Sequence, residues 1–172
     1  KEGKVASATA VADGQKPAAP FPVLDARGVT TQINDPVSKD GSAYTRSVTF
    51  TYQDAGQTVC PQGTGAGYAK APVDMLCKIT YPDATSSTLL YNTTGGLASI
   101  TDPGTATSTF GYDSAGLLSQ IRDVTANDAV TAGLAATDAS LTQIAYVAGK
   151  VSSVTMPAPD GATTAQRPSK TF

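Results

Sequence analysis

A short phrase, tyrosine followed four residues later by glycine, recurs along this 172-residue chain and limits what it can fold into. It appears at Tyr52 with Gly56, Tyr91 with Gly95 and Tyr112 with Gly116, and in a form one residue shorter at Tyr146 with Gly149. After Gly95 and after Gly116 comes a small apolar and serine-bearing run, GGLASITDP and then GLLSQIRDV. Alternation with a period of two marks a strand half-buried on one face, and a glycine between two such runs supplies the positive φ of a tight turn. The phrase therefore reads as a hairpin: an ascending strand ending in Tyr, a turn, then a descending strand. Its recurrence at a nearly fixed period predicts an array of units, each covering its neighbour's open edge.

Composition agrees. Glu2 is the single glutamate among 14 acidic residues, while Gly (16) and Pro (11) are abundant. Such a chain lacks strong surface helix formers and is rich in turn residues. Tyr (7) outnumbers Phe (4), and Trp is absent, which suits half-buried pleated surfaces with a modest core. The expected fold is all-β, with antiparallel hairpin repeats stacked into a continuous curved sheet and little helix.

Residues 1–22, ending in KPAAPFP, read as an Ala/Pro-rich extension or linker, and residues 23–172 as the hairpin repeats. Within the repeats, AYTRSVTFTYQ forms one strand, with Tyr44, Arg46, Val48, Phe50 and Tyr52 on one face and hydroxyls on the other. Asp40-Gly41 and Asp160-Gly161 mark turns, and a final strand ends at Phe172. Two insertions interrupt the rhythm. The first, at 60–77, begins as a return strand over Thr58 to Cys60 and is bounded by Cys60 and Cys77; the second, at 126–140, forms a short helix or an irregular loop. The cysteines are either free thiols or, as the better reading, a disulfide closing a surface loop of a secreted protein.

The residues that carry chemistry in most enzymes are missing. The chain contains no histidine, so it has no His-based triad and no proton shuttle near neutral pH. Nearly every Asp stands beside Gly, Pro or Ala in a turn, where its carboxylate bonds its own backbone instead of serving acid–base catalysis or calcium. Arg46 and Arg122, set in strands, pair with such carboxylates or line an inner wall. No cofactor, metal site or catalytic residue is expected, and the chain is not expected to be an enzyme. The net charge of −2, without a basic cluster, argues against nucleic acid. No apolar run is long enough to enter a membrane as a helix. The start, KEGKVASATAV, has no signal-peptide core and suggests a piece of something longer.

The units YDSAGLLSQIRD, YNTTGGLASITDPG, ITYPDATSSTLLYN and LDARGVTTQIND resemble those of the Rhs or YD-repeat family. Tyr112-Asp113 with Gly116 is the best match; Tyr91 is instead followed by Asn92, Tyr52 by Gln53 and Tyr146 by Val147. The family includes bacterial polymorphic toxins, wall-associated proteins, insecticidal toxin complexes and the animal teneurins. The resemblance implies a β-ribbon that spirals into a hollow shell, on a bacterial protein secreted or displayed at the cell surface. The implied role is non-enzymatic enclosure. Its partners would be flanking repeats and an enclosed C-terminal effector domain, and open sheet edges would allow self-association. The alternative is an extracellular adhesion or carbohydrate-binding module, in which Tyr68, the aromatic outside the repeat frame, would contact a glycan.

Overall fold

The computed structural model describes residues 19–40, 43–65, 67–159, 161 and 167–172. Residues 1–18 of the expected extension, Gly41 of one expected turn and Asp160 of another lie outside these. In chain order the strands are β1 (Phe21–Leu24), β2 (Thr30–Asn34), β3 (Lys39–Asp40), β4 (Ala43–Tyr44), β5 (Ser47–Tyr52), β6 (Tyr68–Ala69), β7 (Leu76–Thr80), β8 (Ser86–Asn92), β9 (Leu97–Thr101), β10 (Thr107–Tyr112) and β11 (Leu118–Arg122). Helix α1 (Val124–Thr131) follows, then β12 (Thr142–Val147), β13 (Lys150–Thr155) and β14 (Ser169–Thr171). Antiparallel pairing orders the main sheet as β1-β2-β5-β7-β8-β9-β10-β11-β12-β13-β14, with β6 added to β8 and β3–β4 as a separate ladder. The protein is all-β with one short helix, and successive hairpins share one sheet.

Two compact units divide the chain. One holds the residues up to Cys60 together with Val73–Thr88, the other Pro61–Pro72 together with Leu89–Phe172. In the first, Val48 stands opposite Ile33 and Phe50 opposite Ile79, while Thr49 pairs with Gln32 on one side and Thr80 on the other. In the second, Phe110 stands opposite Ile121, whereas Thr109 pairs with Ser99 and Thr107 with Thr101. In these pairs the two-residue alternation sets apolar side chains opposite apolar ones and hydroxyls or amides opposite their like, while at other seams Ile100 stands opposite Ser108 and Ile79 opposite Ser87. Among the described residues few side chains are wholly enclosed, and Cys77 and Ser99 are the largest of those that are fully buried.

Four hairpins are irregular at the same place. The register slips between Val23 and Leu24, Thr51 and Tyr52, Gly111 and Tyr112, and Ala145 and Tyr146, so that one extra residue is accommodated opposite. In the three tyrosine-led cases this β-bulge falls immediately before the turn, where it raises the local twist. Thr31, Cys77 and Ser119 occupy bulge positions. The Thr31 and Ser119 hydroxyls donate to the carbonyls of Val23 and Gly111 at 3.3 and 3.4 Å, and Cys77 Sγ lies 3.4 Å from the Thr51 carbonyl.

The segmentation differs from the sequence reading at several points. AYTRSVTFTYQ is two strands rather than one, broken at Thr45-Arg46. The Thr45 and Arg46 amides donate to Ser38, at its carbonyl and hydroxyl respectively, and the Arg46 carbonyl accepts from Asp35. The backbone there is drawn to the 3-10 turn at Pro36–Ser38. Thr58 to Cys60 form no strand. The Asp54 carboxylate captures both the amide and the hydroxyl of Thr58, and Cys60 is joined to Cys77. The partner of β5 is β7, beyond the insertion. That insertion carries β6, which pairs Tyr68 with Asn92 and Ala69 with Tyr91. The second insertion starts earlier than its composition suggests. Asp123 caps α1 by accepting from the Ala126 amide, and a 3-10 turn at Asp138–Ser140 closes the segment. The first strand begins at Phe21.

Candidate functional site

The residues singled out by the sequence converge on the turns, and there the geometry repeats. Asp25, Asn92 and Asp113 each place a side-chain oxygen on two backbone amides, two and four residues ahead. For Asp25 these are Arg27 and Val29, for Asn92 Thr94 and Gly96, and for Asp113 Ala115 and Leu117, all at 2.8–3.0 Å. The carbonyl of the same residue accepts from the glycine three ahead: Gly28, Gly95 and Gly116. Those glycines have φ of 78, 84 and 79°, the left-handed region open to a residue without Cβ. What the turn requires is a side-chain acceptor in its first position, so Asn92 does at Tyr91 what Asp113 does at Tyr112.

Two turns depart from this form. After Tyr52 the turn starts one residue later, at Asp54, and its left-handed residue is Gln57 (φ 55°), not Gly56. After Tyr146 the chain reverses through Ala148 (φ 52°) and Gly149 (φ 75°) alone, with Val147 paired to Lys150, a two-residue hairpin loop.

The tyrosines do more than cover the sheet with their rings. The Tyr52 hydroxyl donates to the Thr30 carbonyl at 3.0 Å, Tyr112 to Leu97 at 3.0 Å and Tyr146 to Leu118 at 2.9 Å. Each acceptor is the first residue of the descending strand in the preceding hairpin: β2, β9 and β11. The hydroxyl is therefore a tie between consecutive hairpins. Tyr91, on β8, is buried, and that burial, with Tyr112 nearby, raises its phenol above the ordinary value. A Cβ on Gly96 would lie 2.9 Å from Tyr112 Cε2, so the second glycine of the Gly95-Gly96 pair makes room for that ring.

Charged groups serve the same scaffold. The Asp25 carboxyl is held below its usual range, first by the Val29 amide and then by Arg27, and the Asp54 carboxyl by the amide and hydroxyl of Thr58. The Asp83 carboxyl is lowered by the hydroxyl and amide of Thr85. Arg46 pairs with Asp35, and Arg27 with Asp25 and Asp74. Among the described residues Arg122 reaches no carboxylate. Its guanidinium donates to the Thr137 carbonyl at 3.0 Å and Asn127 Oδ1 at 3.4 Å, which ties β11 to the second insertion. Arg167 is a binding group that the sequence reading missed. It spans the carbonyls of Met156, Asp138, Leu141 and Thr155 and the Gln143 side chain, fastening the insertion to the end of β13. Its partners lie far away in sequence, so no local pattern announces it.

The structure joins Cys60 to Cys77 in a disulfide, with Cα atoms 5.7 Å apart. Tyr68 is half-buried in β6 with its ring against Gly63, so one side of the ring is covered. Among the described residues no group of three or more His, Cys, Asp or Glu side chains could hold a metal ion, and no helix is long and apolar enough to cross a membrane. An open cleft of about 320 Å³ beside Pro20, Ile33, Val48 and Pro82 contains Asp35 and Arg46, already paired with each other.

The class of protein defined by these features is an antiparallel hairpin-repeat protein, with its distinctive side chains bonded to backbone at the turns and between neighbouring hairpins. Residues 91–128 match the family model described as RHS Repeat. That stretch runs from the Tyr91 turn through β11 into α1 and is similar to a repeat of that family. No curated protein matches the chain.

Proposed function

We propose that this chain is a non-enzymatic segment of a YD-repeat shell on a secreted or surface-displayed protein, and that its work is to enclose an effector domain carried C-terminal to the repeats. The observation that supports this most directly is the destination of its conspicuous side chains. The hydroxyls of Tyr52, Tyr112 and Tyr146 and the turn oxygens of Asp25, Asn92 and Asp113 all bond main chain. Groups so engaged build a wall and leave nothing poised toward a substrate. The RHS repeat at 91–128 supports the same reading, with flanking repeats as the immediate partners. Confinement then does the work, and cargo is kept from its target by exclusion from solvent.

Limited proteolysis of the full-length protein tests this. The domain C-terminal to the repeats should resist a protease that cleaves the same domain expressed alone. Deleting the β10–β11 hairpin, residues 107–122, should abolish that resistance. Equal cleavage of the enclosed and isolated domains would overturn the proposal.

A further inference from the structure

Each of the four register slips skips one residue of the descending strand, and all four skipped residues are small side chains that can donate one hydrogen: Thr31, Cys77, Ser119 and Ser152. Thr31 and Ser119 spend theirs on the Val23 and Gly111 carbonyls. Cys77 Sγ stands in the same place, 3.4 Å from the Thr51 carbonyl, but a disulfide sulfur has no hydrogen to give. The oxidised hairpin thus sets an acceptor against a sulfur that becomes a donor only when the disulfide opens. The two sulfurs also differ in setting. Cys77 has none of its surface exposed and lies in β7, paired on one side with β5 and on the other with β8. Cys60 keeps 8% of its surface exposed and lies in no strand, next to the exposed Val59.

We infer that the Cys60–Cys77 bond is a reversible thiol-exchange site, opened by a small thiol at Cys60, and that the β5–β7 hairpin keeps its pairing when the bond opens. The incoming thiolate attacks Cys60 Sγ. A new sulfur–sulfur bond forms there as the Cys60–Cys77 bond breaks, and the electron pair leaves on Cys77 Sγ, which takes up the proton that the incoming thiol gave up. Cys60 then carries a mixed disulfide. A second equivalent of thiol frees it as a thiol, and the reagent departs as its own disulfide. Attack in the opposite sense would have to reach a sulfur enclosed within the sheet. The freed Cys77 thiol faces the Thr51 carbonyl and makes the bond that Thr31 and Ser119 make in the sister hairpins. Opening therefore releases the tether on Cys60 and leaves the strand pairing in place. This assignment goes beyond the wall reading and does not depend on it.

The test treats the folded chain with reduced glutathione and locates the adduct by peptide mass spectrometry. Glutathione should be found on Cys60 and not on Cys77. After full reduction without denaturant, iodoacetamide should label Cys60 and leave Cys77 protected, while the amides of β5 and β7 keep their slow exchange. A pair of variants isolates the donor. In a Cys60→Ser background, Cys77→Ser should have a folding equilibrium constant about five-fold larger than Cys77→Ala, the size of one net hydrogen bond. A disulfide that survives the thiol untouched, an adduct on Cys77, or a reduced chain whose β5 and β7 amides exchange freely would overturn the exchange site. Equal stability of the serine and alanine variants would overturn the capture by Thr51. Should those variants not fold, labelling and amide exchange of the reduced chain still decide the matter. None of these results bears on protease protection of an enclosed domain, so the two proposals fail separately.

Discussion

The hydroxyl of one tyrosine is a small lever on stability, and its effect is calculable. Tyr112→Phe keeps the ring over Gly96 and removes only the donor to the Leu97 carbonyl. It should cost about 1 kcal/mol in urea unfolding, and Tyr146→Phe the same for the bond to Leu118. Loss of both bonds without destabilisation would show that the hydroxyls carry no load. The turn acceptor has a sharper signature. Asp113→Asn should be nearly neutral, because Asn92 already makes the same two amide bonds with an amide oxygen. Asp113→Ala leaves the Ala115 and Leu117 amides without that oxygen and should cost about 1 kcal/mol or more. Equal effects of the two substitutions would mean that the negative charge, and not the acceptor, is what the turn needs. At this scale the sequence was misleading in one place. Gly56 follows Tyr52 at the same spacing as Gly95 and Gly116 follow their tyrosines, yet Gln57 takes the left-handed conformation. The Asp54 carboxylate starts that turn a residue late, and a count made from the tyrosine does not register it.

Among elements, the insertions hold what local reading could not supply. The Tyr-x-x-x-Gly rhythm and the alternation beside it locate β5, β8–β13 and their turns, because each hairpin is closed by contacts between near neighbours. The break at Thr45-Arg46 depends on Ser38, strand β6 on Tyr91 and Asn92, and the Arg167 clasp on residues as distant as Asp138. None of these partners is encoded in the segment itself. The disulfide is the strongest of the long-range devices. It closes a loop between residues 17 apart in sequence, and Cys77 sits wholly buried at the bulge beside Tyr52. Removing it with the paired changes Cys60→Ser and Cys77→Ser should lower stability by about 3 kcal/mol in chemical unfolding. It should also speed amide exchange in the 61–76 segment. An unchanged unfolding midpoint would show that the loop is held by β6 alone.

For the molecule as a whole, acid gives a directional test. The carboxyls of Asp25, Asp54 and Asp83 are all lowered from the ordinary 3.8 by hydrogen bonds that exist only in the fold. The folded state therefore binds these protons less readily than the unfolded chain. Their stabilisation is complete above the unfolded value and is lost as pH falls through it toward the lowered folded values. All three belong to the unit formed by the residues up to Cys60 and Val73–Thr88. Amide exchange followed from pH 6 down to about 3 should show that unit opening progressively, with flat behaviour above about pH 5. Exchange that slows as pH drops through this window, after correction for intrinsic rates, would reverse the assigned sign. The shortage of fully enclosed side chains was also legible in advance. A chain with few aromatics and many hydroxyls builds a sheet from half-covered rows and not around a deep core.

Each tyrosine tie between hairpins ends on a carbonyl of the main chain, at Thr30, Leu97 and Leu118. All residue types present that oxygen alike, so the acceptor side is free to drift in sequence with no matching change in the donor. As far as that bond goes, a gene encoding such units can lengthen by duplication, or lose a unit, with no particular side chain required on the acceptor strand. Thr30 and Leu97 differ in side chain and serve alike, so the demand for a particular residue falls on the tyrosine alone.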